Sequence, residues 1–238
     1  DVNVKDNLGV TPLMAAASDK ENNVAMFILK AGASVNAQDK QGRTALMYAI
    51  KRKNSRFVGA LLEYRASLEL KDTHTNTALV YAVRENVPNI LAQLLQRGAN
   101  INVKSDQGRT PLMEAAGAGF AQVASVLLKA KVKVDEADEH GWNALIMAAQ
   151  GGHTEIVNNL IAAGADLNVK NEYAETALML ASQAGALNAV QTLLSHDAEV
   201  NAKNNQGWTA IMFAAKGGHN DVVTALSGDG ADINAKNN

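Results

Sequence analysis

The apolar and polar positions of the chain follow one pattern that recurs every 33 residues. Each recurrence opens with a Thr or Asn and continues into a short, Ala-rich apolar segment, as in TPLMAAA, TALMYAI and TALVYAV. These openings stand at residues 11, 44, 77, 110, 143, 176 and 209, with no insertion or deletion between them. A fixed period of this length is typical of a protein built from stacked copies of one small unit.

Each unit predicts two helices joined by a polar turn. The opening Thr or Asn can cap the first helix, and Pro12 and Pro111 stand at the first helical position, where a missing N–H costs nothing. The second helix carries apolar pairs such as Leu61-Leu62 on one face. One alanine of the first helix never varies, as expected where two helix backbones nearly touch: Ala16, Ala49, Ala82, Ala115, Ala148, Ala181 and Ala214.

Glycines mark the ends of the second helices and the loops that follow. Left-handed glycines are predicted to end the helix at Gly32, Gly98, Gly164 and Gly230, and to turn the loop at Gly9, Gly42, Gly108, Gly141 and Gly207. Arg65, Lys131 and Asp197 replace the helix-ending glycine, and Thr75 and Ala174 replace the loop glycine. If the backbone is left-handed there, each substitution costs about 1 kcal/mol.

The segments DKQGRTALMYA and GGHTEIVNNLIAAGADLNVK resemble ankyrin repeats, and the resemblance covers essentially the whole chain. It implies an all-α ankyrin-repeat solenoid of seven stacked helix-turn-helix units, with projecting β-hairpin-like loops and a concave face. The predicted organisation is a single ankyrin-repeat domain, 1–238. It consists of a loop arm, 1–10, and repeats 11–43, 44–76, 77–109, 110–142, 143–175, 176–208 and 209–238.

One departure from the family pattern bears on the organism and compartment of the protein. The family usually has His after TPL, whereas this chain has an apolar residue such as Met14 or Met47. The TALM variant resembles bacterial ankyrin proteins and favours an exported or periplasmic protein over a cytoplasmic one. The chain opens at Asp1 in the middle of the pattern, which is compatible with an upstream segment that has been removed.

Composition and charge narrow the classes of function. The net charge of −2 excludes a strongly basic nucleic-acid binder. Residues 1–109 carry 15 Lys and Arg against 10 Asp and Glu, whereas residues 110–238 carry 7 against 14. Cysteine is absent, which excludes disulfides and thiolate metal sites. No apolar run approaches the roughly 18 residues that a membrane span needs, so we expect no membrane insertion.

Candidate catalytic and metal chemistry is missing from the sequence. No P-loop, G-x-S-x-G or H-E-x-x-H motif occurs. His153 and His219 hold the same place two repeats apart, about 20 Å if repeats stack at helix-packing distance, so they cannot share a metal. The acidic segment 135–140 is either a cation-attracting or a solvated loop, and we favour the solvated one. We therefore expect no enzyme and no cofactor.

The position before each helix cap varies in a way that indicates function. It carries Val10, Arg43, Asn76, Arg109, Trp142, Glu175 and Trp208. Variation at one position of a rigid repeat means that the fold does not dictate it, and Trp, Tyr and Arg dominate the energetics of protein interfaces. Tyr173 lies beside this row. The alternative is that each indole lies flat across its own loop as local packing.

A second variable row lies on the first helices and is expected to line the groove. It consists of Ala15, Tyr48, Tyr81, Glu114, Met147, Leu180 and Phe213. Half-buried packing is one explanation; Tyr48 and Tyr81 are the better binding candidates, because a phenol can pack and form a hydrogen bond at once. The complete predicted partner-binding surface is Arg43, Tyr48, His74, Tyr81, Arg109, His140, Trp142, Tyr173 and Trp208.

The resemblance implies a non-enzymatic protein that binds another protein, is a monomer when free, and inhibits or protects against a bacterial enzyme. The alternative is a structural scaffold that assembles through the apolar face of the first repeat, where Met26 and Phe27 stand at positions that are polar in several other repeats. The basic residues Lys51, Arg52, Lys53, Arg56 and Arg84 indicate either a solvated face or a site for an acidic stretch of a partner, rather than a site for nucleic acid.

Overall fold

The chain folds into two compact units, residues 1–106 and 107–238. The structure is a computed structural model, and it describes residues 1–18, 23–105 and 107–238. Every regular element in the described residues is helical, and the only strand-like pairing among them is one antiparallel bridge between Ala137 and Asn143. The all-α fold class is therefore confirmed, whereas the division into one domain with seven repeat boundaries stays a prediction.

The first unit contains three helix pairs within its described residues. Their bounds are α1 Pro12–Ala15 continued by a 3-10 turn Ala16–Ser18, α2 Asn23–Lys30, α3 Ala45–Lys51, α4 Ser55–Glu63, α5 Ala78–Arg84 and α6 Pro88–Gln96. The first helices pack in the order α1, α3, α5, and each packs on the second helix of its own pair.

The second unit contains four helix pairs built on the same plan. Their bounds are α7 Pro111–Gly117, α8 Ala121–Lys129, α9 Ala144–Gln150, α10 Thr154–Ala162, α11 Ala177–Gln183, α12 Leu187–Leu194, α13 Ala210–Gly217 and α14 Asn220–Gly228. The first helices α7, α9, α11 and α13 pack in succession, and so do the second helices α8, α10, α12 and α14.

The core of each unit lies between its two layers of helices. The invariant alanines are buried, and those from Ala49 onward are fully so. The first leucine of each pair on the second helix is also fully buried, as at Leu61, Leu94 and Leu127. Small side chains let the first helices approach closely, and the leucines fill the space between the layers.

The predicted helix caps form at five of the seven positions. Thr11, Thr44, Thr110, Asn143 and Thr176 accept a hydrogen bond from the backbone N–H three residues on. The prediction is wrong at Thr77 and Thr209, whose side chains form no cap bond. Their hydroxyl oxygens are buried with no hydrogen-bond partner among the described residues. Pro12 and Pro111 do stand in the first turn of their helices.

The backbone is left-handed at the five residues that replace a glycine of the repeat pattern. The φ angles are 60° at Arg65, 58° at Lys131 and 64° at Asp197, and they are 63° at Thr75 and 58° at Ala174. The condition under which each substitution costs stability is therefore met at all five residues. At Gly42 the glycine is needed for a second reason, since a Cβ there would lie 2.9 Å from the Cα of Asp72 in the next loop.

Within each unit, backbone hydrogen bonds join neighbouring loops that follow the second helices. In the first unit the N–H of Lys40 donates to the carbonyl of Leu8, and the N–H of Thr73 donates to that of Gln41. In the second unit the same bond joins Glu172 to His140, Asn205 to Tyr173, and Asn238 to Gln206. No helix in the described part of the chain has the length and apolar character for crossing a membrane.

Candidate functional site

The nine predicted binding residues all reach the surface, to different degrees. His74, Arg109, His140 and Tyr173 are exposed, whereas Arg43, Tyr48, Tyr81, Trp142 and Trp208 are half-buried. None of the nine is a core residue, so the structure places all of them within reach of another molecule. Their role in binding a partner stays a prediction.

One acidic or amide side chain at the start of six of the loops fixes the loop backbone that carries these residues. Its Oδ1 atom accepts hydrogen bonds from the backbone N–H groups two and four residues on. The residues that do this are Asp6, Asp39, Asp72, Asp138, Asn171 and Asn204. Because the residue four positions on is the variable one before the helix cap, the same bond holds Arg43, Trp142 and Trp208 in place.

The other carboxylate oxygen of Asp39 organises a polar cluster in the first unit. Oδ2 accepts hydrogen bonds from Arg43 Nε and from the Tyr48 hydroxyl, each at 2.8 Å. Arg43 Nη2 lies 2.8 Å from the same oxygen and also donates to the Tyr48 hydroxyl. The Arg43 guanidinium lies 4.7 Å from the centre of the Tyr48 ring. The Asp39 side chain is only 1% exposed, so this is a nearly buried ion pair.

The electrostatics of this cluster favour the charged carboxylate. Burial alone would raise the pKa of Asp39, but the hydrogen bonds from the Arg43 backbone, the Tyr48 hydroxyl and the Arg43 guanidinium outweigh it and lower that pKa. Burial and the bond to Asp39 raise the pKa of Tyr48, which keeps the phenol protonated as a donor. At neutral pH the cluster is therefore a carboxylate, a guanidinium and a neutral phenol.

Asp72 builds a related cluster one loop later. Its Oδ2 accepts from the Tyr81 hydroxyl at 2.9 Å and from Asn76 Nδ2 at 3.1 Å, and Asn76 Oδ1 accepts from Arg84 at 2.9 Å. Burial raises and these hydrogen bonds lower the pKa of Asp72, with a net lowering. Burial and the bond to Asp72 raise the pKa of Tyr81 well above its usual value.

A pocket of about 340 Å³ lies against this second cluster, within the first unit. Its walls include Asp72, Tyr81, Arg84, His74 and Lys51. The loop tips supply His74, and the ends of α3 and α5 supply Lys51 and Arg84. The sequence grouped Lys51 and Arg84 with other basic residues but did not place Tyr81 beside them.

The second unit carries an aromatic surface at the corresponding positions. The ring centres of Trp208 and Phe213 lie 5.4 Å apart with the rings tilted by 45°, and Lys216 Nζ lies 5.1 Å from the Trp208 ring. The Trp208 indole is thus partly packed against Phe213 of α13, rather than only across its own loop, while part of it remains exposed. Such pairs contribute about 0.5–1.5 kcal/mol beyond the area they bury.

Ion pairs also occur on the loops of the second unit. Arg109 Nε lies 3.6 Å from Asp138 Oδ2, and His140 Nδ1 lies 3.1 Å from Glu172 Oε2. Tyr173 is 54% exposed at its loop tip. The charge of Glu172 and a hydrogen bond to it raise the pKa of the Tyr173 phenol.

The loop Asp and Asn residues are the site residues that sequence reasoning missed. A signal was available, because Asp6, Asp39 and Asp72 are spaced by 33 residues and, after an interruption at Ser105, Asp138, Asn171 and Asn204 continue the series. Their side chains are short and polar, so without the structure they read as ordinary loop residues.

The described residues offer no cluster for a metal and one uncovered apolar face. No group of three or more His, Asp or Glu side chains among them could hold a metal ion. On α2, Phe27 is 73% exposed and Val24 is exposed as well, while Met26 is half-buried. In the later repeats the position of Val24 is buried, as at Phe57 and Ile90, so among the described residues this position is most exposed on α2.

Comparison with protein families identifies the repeat. The family model described as ankyrin repeats, three copies, matches residues 1–72, 27–105, 79–171 and 150–237, so the matches together span nearly the whole chain. Ankyrin repeats are generally modules for protein–protein interaction and are typically not enzymes. No curated protein matches the chain in a sequence comparison.

Proposed function

The chain belongs to the ankyrin repeat family, and on that premise we propose that it binds a partner protein through its loop tips and first helices and thereby inhibits, or protects against, a bacterial enzyme. The proposed contact residues are the nine named above, from Arg43 to Trp208. The protein itself performs no chemistry in this proposal. It acts by occupying or covering a surface of the partner.

The observation that carries the proposal is the contrast between fixed loop backbones and variable loop side chains. Oδ1 of Asp138 accepts from the N–H groups of both His140 and Trp142, and the carbonyl of His140 accepts from Glu172. The side chains of His140 and Tyr173 nevertheless remain exposed. A surface that is already ordered loses little conformational entropy on binding, which favours affinity.

A pull-down that compares matched aromatic variants tests the proposal. The bait is the full chain, the extract comes from the cells that express it, and the variant is Trp142→Ala/Trp208→Ala. We expect the variant to lose partner capture at least tenfold, as for interface hot spots. Tyr64→Ala serves as the control, because Tyr64 is also an exposed aromatic residue but ends α4 on the second layer of helices. Equal capture by the wild type and the double variant would refute the aromatic-loop surface.

A second candidate function, assembly through the first helix pair, is favoured by the exposed apolar face of α2. Val24 and Phe27 present this face, and burial of such side chains stabilises association by about 25 cal/mol per Å². Light scattering across a concentration series separates the two candidates. The inhibitor proposal expects a constant monomer mass. The assembly candidate expects a mass that rises with concentration and returns to the monomer value in Phe27→Ser.

A further inference from the structure

We propose that the pocket between the loop tips and the ends of α3 and α5 binds a glutamate or aspartate side chain of an acidic segment of the partner. This inference rests on the proposed protein-binding function and assigns a chemistry to one part of its surface. The pocket is formed within the first unit by Lys51, His74, Asn76, Tyr81 and Arg84, together with Arg43 at its edge.

The charged side chains of the pocket wall favour an acidic ligand. Three cationic side chains line the pocket, Arg43, Lys51 and Arg84, against two carboxylates, Asp72 and Glu85. Arg43 is paired with Asp39. Lys51 is exposed and forms no ion pair or hydrogen bond with any residue that the structure describes. Lys51 is therefore the cation with most to gain from a ligand carboxylate.

Asp72 is charged, but its acceptor sites are already occupied by groups of the protein itself. Its two oxygens already accept hydrogen bonds from the N–H groups of His74 and Asn76, from the Asn76 amide and from the Tyr81 hydroxyl. Its acceptor capacity is used inside the protein, and the residue is only 9% exposed. Asp72 therefore offers no acceptor site to a ligand, which leaves Glu85 as the second carboxylate of the wall against the donors of Lys51 and Arg84.

The donors are also held in position. Asn76 Oδ1 accepts a hydrogen bond from Arg84 at 2.9 Å, which fixes the guanidinium on the wall. Exposed Arg52 and Lys53 follow Lys51 directly and extend the positive charge beyond the pocket. A preorganised guanidinium beside an ammonium forms short, charge-assisted hydrogen bonds with a carboxylate. Lys51 and Arg84 lie in the last turns of α3 and α5, where the helix dipoles favour cations. The dipoles do not explain why a pocket is formed between the two helix ends.

The size and composition of the pocket favour a protein side chain over nucleic acid. A volume of about 340 Å³ is at the small end of the range for ligand sites, about 300–1,000 Å³. Single-stranded nucleic acid binds on stacked aromatic platforms along a basic groove. Among the described residues of the pocket wall, the one with a phenyl or indole ring is Tyr81, which is half-buried and donates its hydroxyl to Asp72.

Amide NMR titration of the full chain with a capped oligoglutamate peptide tests this inference. We expect shifts at His74, Asn76 and the end of α3, and an affinity that falls about threefold to tenfold in Lys51→Ala and in Arg84→Gln. Lys30→Ala is the matched control, because Lys30 is an exposed lysine in the last turn of α2, outside the pocket. The affinity should also fall as salt is raised.

Comparison ligands and variants decide the outcome. A capped oligolysine peptide should leave these amides unchanged, and a DNA oligonucleotide of equal charge should bind more weakly than oligoglutamate. No oligoglutamate binding, equal binding by Lys51→Ala and wild type, or tighter binding of DNA would overturn the inference. The proposed function would stand in each case if partner capture still depends on Trp142 and Trp208, so the two failures are distinguishable.

Discussion

Two positions of the repeat carry opposite chemistry in one repeat of the first unit and one repeat of the second. In the first unit the residue before one cap and the residue five positions on are Arg43 with Tyr48, joined through Asp39. In the last repeat of the second unit the corresponding pair is Trp208 with Phe213, in ring contact. One scaffold position thus holds a hydrogen-bonded ion pair in one place and an aromatic pair in another.

The difference shows which part of the loop residue belongs to the fold and which part belongs to the surface. Oδ1 accepts the same two backbone bonds in Asp39 and in Asn204. A carboxylate Oδ2 is present at Asp39 and Asp72, where a tyrosine donates to it, and at Asp138, where Arg109 lies 3.6 Å away. At Asn204 an amide takes its place, and the residue nine positions on is Phe213. The loop backbone requires Oδ1 as an acceptor, whereas the other group, Oδ2 or Nδ2, varies with the neighbouring side chains.

The largest expected effect comes from removing the loop acceptor in each unit. Asp39→Ala removes the partners of two backbone N–H groups, a guanidinium and a phenol, so we expect the free energy of unfolding to fall by about 3 kcal/mol. Asn204→Ala removes only the two backbone bonds, and we expect a loss of about 1–2 kcal/mol. Urea denaturation followed by circular dichroism measures both.

Tryptophan fluorescence provides the control for this pair. Both tryptophans, Trp142 and Trp208, lie in the second unit, so the fluorescence transition reports on that unit directly. Asn204→Ala should shift the fluorescence transition. If the two alanine variants lose the same free energy, the second carboxylate oxygen adds nothing and the distinction between the units fails.

A smaller effect is expected from acid. The folded pKa values of Asp39 and Asp72 are lowered, so their stabilisation is complete above the unfolded pKa of about 3.9 and is lost as the pH falls through the folded values. We expect the wild type to exceed Asp39→Asn/Asp72→Asn by about 1–2 kcal/mol at pH 7 and by less at pH 3. Urea titrations at the two pH values measure the difference. A gap that is unchanged at pH 3 would contradict a role for the ionised carboxylates.

The smallest expected effect concerns backbone strain, which should be the same in both units. Arg65→Gly relieves a left-handed residue with φ of 60°, so we expect the protein to gain up to about 1 kcal/mol and the Tm to rise by a few degrees. Asp197→Gly in the second unit should give a similar gain, because the cause lies in the backbone rather than in the surface. A thermal melt that shows a lower Tm for Arg65→Gly would refute the claim that the left-handed backbone at Arg65 costs stability.

The sequence was sufficient to predict the helices and the strained loops because those depend on local rules. A threonine before an Ala-rich segment marks a helix start, and a residue that replaces a glycine at a fixed spacing inherits its left-handed backbone, as Arg65 and Ala174 do. The two failed caps, Thr77 and Thr209, have the same sequence signal as the working ones. Their difference lies in small shifts of geometry that spacing does not encode.

The surface was less predictable because it depends on side-chain torsions and on contacts between loops. Trp142 and Trp208 were correctly placed on the loops, but only coordinates show that Trp208 packs on Phe213 beneath Lys216. The pairing of Asp39 with Tyr48, nine residues apart, likewise needs a turn of the chain to bring the two groups together. Sequence spacing supplies the candidates, and tertiary packing decides which of them meet.

The hydrogen bond between neighbouring loops joins a main-chain N–H to a main-chain carbonyl, so its acceptor does not depend on the side chain. The carbonyls of Gln41, His140 and Tyr173 accept the same bond although their side chains differ completely. Under the proposed function, substitution of a tip residue changes the binding surface while these main-chain hydrogen bonds stay in place. We therefore expect that single tip residues can be exchanged to change the target without redesign of the interior.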